Sequence, residues 1–285
     1  MQSEPTTYQH IRIEHEENLS WIVLARPDRA NALSADMLEE LSDALERLRF
    51  TGGPVLAIRG EGKGFSGGYD ITEVGVPKSA DPVGDRERLQ RNVDRFMAIW
   101  DHPKPVIAAV HGYCVAGATQ LCVFTDITIL AEDARIGEPT VPIGGGYIAP
   151  LWAPLVGPKR AKELSFVPGN WIDAETAVRW GWANHMVPVA DLQSQVRGLA
   201  ARIALTPPDV LRVKKLSINR AMDAMGARQV ANSVAEMDAL LHLSPSVLAV
   251  REQVREQGFR SVKEGYHVPP TSDLSQHERH SQRKC

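Results

Sequence analysis

Alternating and three-to-four-residue spacings of apolar side chains divide most of the chain into short strands and amphipathic helices. His10–Glu14 alternates and Trp21–Ala25 runs apolar, with Glu16-Glu17-Asn18 between them, which predicts an opening hairpin. ARPDRANALS (25–34) follows as a loop. Ser34 is a good N-cap for a helix carrying Met37, Leu38, Leu41, Leu45 and Leu48 at helical steps and ended by Gly52-Gly53. Pro54–Arg59 predicts a buried strand, and GEGKGFSGGYD (60–70) a glycine-rich loop where backbone N–H groups can face a ligand. No Gly-Lys-Ser/Thr closes that loop, so it is not a phosphate-binding P-loop. Val74–Gly84, with two prolines and two glycines, reads as a mobile surface segment, and Asp85–Trp100 as a helix.

The central stretch, KPVIAAVHGYCVAGATQLCVFT (104–125), reads as a buried strand, a tight His111-Gly112 turn and a helix opening among Val115, Ala116, Gly117 and Ala118. Free N–H groups at such a bend can stabilise an oxygen that gains negative charge, though strand-glycine-helix junctions also serve purely structural ends. Asp126–Ala131 is a further buried strand, and Arg135–Tyr147 a strand end running into a loop dense in glycine and proline. Repeated strand–helix alternation predicts an α/β fold with a largely parallel sheet. From Pro158 onward the spacing is nearly all helical, over 159–166, 174–180, 192–204, 208–225, 227–243 and 246–258. This divides the chain into an α/β core (1–200), a helical region (201–268) and a polar, pattern-free tail (269–285) expected to be disordered.

Composition narrows the partners. The 285 residues carry a formal net charge of −3, so no global basic field exists to hold nucleic acid or an anionic membrane. Cys114, Cys122 and Cys285 have no metal-ligand spacing, and the first two fall in apolar sequence, which suits a reducing cytoplasm. The polar, acidic N-terminus resembles no signal peptide, and no apolar run is long enough to span a membrane.

Taken together, ARPDRANALS, GFSGGYDI, PVIAAVHGYCVAGATQLCVFTDI and IDAETAVRWGWANHMVP resemble, in order and spacing, the enoyl-CoA hydratase/isomerase (crotonase) family over residues 10 to 265. The resemblance implies a crotonase-like core of stacked ββα turns, a C-terminal helical trimerisation region, and homotrimers or dimers of trimers. It also implies an acyl-CoA thioester substrate, with coenzyme A as part of that substrate rather than a permanently bound cofactor. The thioester oxygen would lie between the N–H groups of Tyr69, after Gly68, and Gly117. Tyr69 stands where the family often has a small residue, so its ring is expected to narrow the pocket. Gln120 and Thr140 match the two positions at which a hydratase of the family carries glutamates, and neither can relay a proton as a carboxylate does.

Glu138, two residues before Thr140, is the substitute carboxylate if the segment is extended; otherwise it pairs with Arg135 or faces solvent. Tyr147 either donates a hydrogen bond or packs. The resemblance assigns Arg26, Arg29, Ala30 and Ile71 to the coenzyme A nucleotide, with Phe259 and Lys263 contributed by a neighbouring subunit. Asp70 reads as a loop brace, and His102 and His111 as structural histidines. Isomerisation, a C–C bond step or a specialised hydration follow from this set. A non-catalytic thioester-binding subunit and a β-diketone hydrolase are the alternatives.

Overall fold

The computed structural model describes residues 8–70, 81–144 and 149–266. Nine strands are described: β1 (Ile11–His15), β2 (Leu19–Leu24), β3 (Val55–Gly60), β4 (Val106–Val110), β5 (Tyr113–Val115), β6 (Ile127–Ala131), β7 (Arg135–Gly137), β8 (Trp171–Asp173) and β9 (His185–Val187). A six-stranded sheet has the order β1-β2-β3-β4-β6-β9 and is parallel throughout except for the β1–β2 hairpin. A second sheet, β5-β7-β8, stands beside it, with β5 and β7 parallel.

Among the described residues the helices of the first half are α1 (Ala35–Leu48), α2 (Pro82–Trp100), α3 (Gly117–Val123), α4 (Ala149–Val156), α5 (Pro158–Phe166) and α6 (Ala174–Trp180). The chain continues through α7 (Leu192–Ile203), α8 (Pro208–Ala224), α9 (Ala227–Leu241), α10 (Pro245–Gln257) and α11 (Phe259–Glu264).

Strict alternation along the central strands gives the main sheet two apolar faces. Ile22, Leu24, Leu56, Ile58, Val106, Ala108 and Leu130 point into the larger core with α1 and α2, whereas Trp21, Val23, Val55, Ala57, Ile107 and Ile129 meet Leu192, Val196 and Ala200 of α7. Both faces are covered, which is why β2, β3 and β4 are buried along nearly their whole length.

Caps set several boundaries. Ser34 accepts the Met37 N–H at the start of α1, and Asp81 accepts those of Val83 and Gly84 at the start of α2. The second cap corrects the reading of 74–84 as one surface segment: Pro82 to Gly84 are helical, because a proline in the first turn gives up only an N–H that would have had no helical acceptor. Residues 74–80 of that segment lie outside the described residues, as does the tail from 267.

Helix α8 is fastened to the core by a polar anchor. Lys215 Nζ, buried, donates to the carbonyls of Ile99 (3.1 Å) and Lys104 (3.2 Å) and to Asp126 Oδ2 (2.7 Å), and one turn on Asn219 donates to Trp100 O at 2.8 Å. Two of these carbonyls, Ile99 O and Trp100 O, belong to the last turn of α2. Burial pushes the Asp126 carboxyl up and the Lys215 ammonium down, each against the pull of the other. Lys215→Met should therefore lower stability by about 1–3 kcal/mol in urea titration, since it leaves the partly buried Asp126 carboxylate without its charged donor. Adding Asp126→Asn should recover part of that loss.

Candidate functional site

Two bends in the backbone meet at the edge of the smaller sheet. The first follows β4: Gly112 (φ +58°) turns the chain so tightly that a Cβ there would lie 2.1 Å from Lys63 O. Strand β5 then leads into Ala116, whose φ of 52° and ψ of −123° are strained for an alanine, and α3 begins at Gly117. Hydrogen bonds hold this conformation in place. Ala116 N–H donates to Gly137 O at 3.0 Å, while its carbonyl accepts from Thr119 N (2.9 Å) and Thr119 Oγ1 (2.7 Å).

The second bend is the loop after β3, pinned along both sides. Phe65 N–H donates to His111 O (2.9 Å) and Ser66 N–H to Tyr113 O (3.1 Å), with Val115 N–H returning a bond to Ser66 O (3.2 Å). On the other flank Gly67 N–H donates to Ala30 O and Leu33 N–H to Gly68 O, while buried Asn31 bonds Glu61 O and Gly64 O. Gly68 (φ +88°) closes the approach: a Cβ on it would sit 2.6 Å from Val115 O and 3.1 Å from Gly117 N. A Cβ on Gly117 would in turn be 2.7–3.0 Å from the Tyr69 ring. The two bends touch because neither glycine has a side chain.

Tyr69 lines the cavity with its ring beside the second glycine. It lies along Gly117, and its hydroxyl donates to Gln120 Oε1 at 2.6 Å. Gln120 is fully buried and does not line the cavity, so it is a partner of Tyr69 rather than a wall of the site.

A cavity of about 470 Å³ lies over these bends. Tyr69, Val115, Ala116 and Gly117 form one wall, and Glu138, Pro139, Thr140 and Val141 another. Glu138, read from sequence as either facing the site or paired outside it, is 8% exposed and lines the cavity. Arg135 instead stacks its guanidinium on Trp171, 4.5 Å from the ring centre. Burial pushes the Glu138 carboxyl up to about 7, against the hydrogen bond from Ser165 that lowers it. Thr140 packs on Gly169, a Cβ on which would fall 3.2 Å from Thr140 Oγ1.

The residues expected to hold the nucleotide are divided. Ala30 lines the cavity, and so do Phe259 and Lys263, which reach it from the chain's own α11. Arg26 turns inward, donating to Asp70 Oδ2 (3.2 Å) and Ala32 O (3.1 Å), so it braces the loop and does not reach the cavity. Arg29 is exposed and outside the lining; Ile71 and Tyr147 lie outside the described residues. His102 is a structural histidine, pushed down to about 4 by burial and bonded to Leu45 O and Lys104 N. His111 is tied to Gly62 O.

Sequence reading missed Arg88, Asn92, Asp238 and His242, which line the same cavity. A signal for two of them exists. In α9, Ala231, Val234, Ala235 and Ala239 form the buried stripe, and Asp238 and His242 occupy positions on it where an apolar residue would be expected. No group of His, Cys, Asp and Glu able to hold a metal ion is present among the described residues.

The enoyl-CoA hydratase/isomerase family model matches residues 14–245. The chain belongs to the enoyl-CoA hydratase/isomerase family. A solved structure of a putative enoyl-CoA hydratase/isomerase from Novosphingobium aromaticivorans DSM 12444 is 46% identical and superposes with a TM-score of 0.91, covering 95% of this chain and 99% of the other. Crotonyl-CoA hydratase of Syntrophomonas wolfei is 33% identical over 75% of this chain and 83% of its own length. Hydroxycinnamoyl-CoA hydratase-lyase of Pseudomonas fluorescens is 26% identical over 92% and 95%. The crotonase-like α/β fold is thereby shown, and these relatives carry the names of enzymes of CoA thioesters. Among the described residues, no helix is long and apolar enough to cross a membrane.

The buried carboxyl has a measurable consequence in this enoyl-CoA hydratase/isomerase. Its folded-state pKa of about 7 lies above the ordinary 4.5, so ionisation is resisted in the fold and stability is lost as pH rises from about 4.5 to 7. Glu138→Gln should be more stable than the parent at pH 8 by up to about 3 kcal/mol, with the gain disappearing below about pH 4.5 in denaturant titrations at several pH values.

Proposed function

We propose that the protein acts on an acyl-CoA thioester by holding the thioester oxygen between the backbone N–H groups of Tyr69 and Gly117, with Glu138 moving the proton. Contact between the two glycine bends beneath the cavity supports the first part. A preorganised backbone donor aimed at developing negative charge is worth about 3–4 kcal/mol, because it needs no reorganisation as the charge appears. Removing a proton next to the thioester carbonyl places that charge on the carbonyl oxygen.

The observation that carries the second part is a carboxyl on the cavity wall poised near pH 7, where the protonated and ionised forms are comparably populated. Gln120, committed to the Tyr69 hydroxyl, and Thr140, a neutral hydroxyl, leave Glu138 to do alone what two carboxylates do in a two-glutamate hydration. The reaction that fits is one needing a single proton carrier: movement of a double bond, a C–C bond step, or addition of water assisted from one side. Coenzyme A enters as part of the substrate, its nucleotide toward Ala30, Phe259 and Lys263. Exposed apolar side chains on the helices, including Val213, Ile218, Met237 and Leu240, support assembly into a homotrimer or a pair of trimers.

A panel of 2-enoyl-, 3-enoyl-, β-keto- and aryl-CoA esters tests this reading. Glu138→Gln should lower kcat by about 10²–10⁴ on an accepted ester with KM little changed. With Glu138 as the base, kcat/KM of the parent should rise with pH through about 7. Full turnover by Glu138→Gln overturns its role, and binding without turnover of any ester identifies a thioester-binding subunit instead. Light scattering should return three or six times the 31.3 kDa chain mass.

A further inference from the structure

The ring of Tyr69 is held beneath, at its tip and from behind. Beneath it is Gly117: a Cβ there would lie 2.7 Å from Cε2, 2.8 Å from Cδ2 and 3.0 Å from Cζ. At the tip, the hydroxyl donates to Gln120 Oε1 at 2.6 Å. Gly117 and Gln120 are three residues apart in α3 and share one face of that helix, so the ring covers this face. Behind it stands Phe96 of α2, with ring centres 6.4 Å apart, and Phe96 stacks in turn on Phe124 at 6.2 Å. Phe96 is 1% exposed and does not line the cavity, whereas Tyr69 does, so this second ring supports the first from the side away from the cavity. A ring packed in this way does not yield to a ligand without losing its hydrogen bond or compressing a close-packed core.

The stereochemistry of an acyl thioester brings its α-carbon to this ring. With the thioester oxygen at the N–H groups of Tyr69 and Gly117, the α-carbon is two bonds away. One of its four bonds goes to the carbonyl carbon and a second carries the chain onward along the apolar lining of Leu89, Val141 and Ile143. A third must face Glu138 if that carboxylate is to handle the α-proton. Glu138 belongs to the wall formed with Pro139, Thr140 and Val141, so the fourth bond points away from it, toward the wall that Tyr69 shares with Val115, Ala116 and Gly117. Hydrogen fits in that direction. A methyl group would meet the ring.

We propose that the Tyr69 ring, held by Gln120 and Phe96, restricts the substrates to acyl-CoA thioesters that carry no substituent on the α-carbon. The proposal rests on the thioester reading above and deepens it: the main chain of Tyr69 serves the oxygen, and its side chain is a specificity-determining group at the adjacent carbon. One methyl group refused or accepted by a closed apolar wall changes affinity by about 10- to 200-fold.

Calorimetry with saturated esters tests it: propanoyl- against 2-methylpropanoyl-CoA and butanoyl- against 2-methylbutanoyl-CoA, with butanoyl- against 3-methylbutanoyl-CoA as the control for a branch one carbon further on. The parent should prefer the unbranched member of both α-methyl pairs by about tenfold or more. Tyr69→Ala and Tyr69→Leu keep the main-chain N–H, and each, with its fold checked by circular dichroism, should reduce that preference to about twofold while leaving the ratio of the 3-methyl pair little changed. Equal or tighter binding of both α-methyl esters by the parent overturns the α-carbon restriction and leaves the thioester reading standing. So does a preference unchanged in both variants, a relaxation equally large for the 3-methyl pair, or loss of all ester binding by both folded variants. Failure of the parent to bind any of these esters overturns the thioester reading and this proposal with it.

Discussion

Everything at the site depends on the close approach of two stretches of main chain that have no side chain between them. Gly68 and Gly117 are glycines because a methyl group on either would enter the neighbouring bend, the first against Val115 O and Gly117 N, the second against the Tyr69 ring. Their contact is maintained from outside. Residues 65–70 are hydrogen-bonded to Ala30 and Leu33 on one flank and to His111, Tyr113 and Val115 on the other. Strain at Ala116, on the order of 1–3 kcal/mol for such a conformation, is retained because Gly137 and Thr119 bind its backbone on both sides. The floor of the cavity is therefore rigid peptide, positioned by hydrogen bonding rather than by side-chain rotamers.

Above that floor the cavity changes character along its length. It begins with backbone and the near-neutral Glu138, passes an apolar middle, and ends at a charge-balanced cluster whose members bind one another from α2 and α9. Such a gradient has opposite energetic consequences at its two ends. Glu138 is buried with one hydroxyl partner, so ionisation costs stability and its proton is easily exchanged near neutrality. Asp85 is less deeply enclosed, and although burial pushes its carboxyl up, the hydrogen bonds from His242 and Arg88 hold it below its usual range.

The elements legible in the sequence were those whose signal is local. The hairpin β1–β2, the Ser34 cap, the apolar strands β3, β4 and β6, and α6 are set by residues a few positions apart. Helix α4 was missed because Pro154 falls inside it and reads as a breaker. Strands β8 and β9 are three residues each, too short for a periodic pattern, and exist because β7 and β6 offer them an edge. At the site, the glycine bends could be located from spacing, but the directions of Arg26 and Gln120 could not: each follows a partner, Asp70 or the Tyr69 hydroxyl, that sequence does not place.

The helical half of the chain shows why an assignment of function by region would mislead. Lys215 and Asn219 tie α8 to the end of α2, and α9 then lies along α2, bringing Asp238 and His242 into the cavity opposite Arg88 and Asn92. Further on, α11 turns Phe259 and Lys263 to the same cavity. A segment that sequence assigns to subunit assembly thus supplies part of the cavity's lining within one chain. Loosening the Lys215 anchor would shift the cavity's far end as well as destabilise the fold, because the same packing of α8 and α9 on α2 supports both. The lining of the cavity by Asp238 and His242 and the attachment of the C-terminal helices are in this way consequences of one set of contacts.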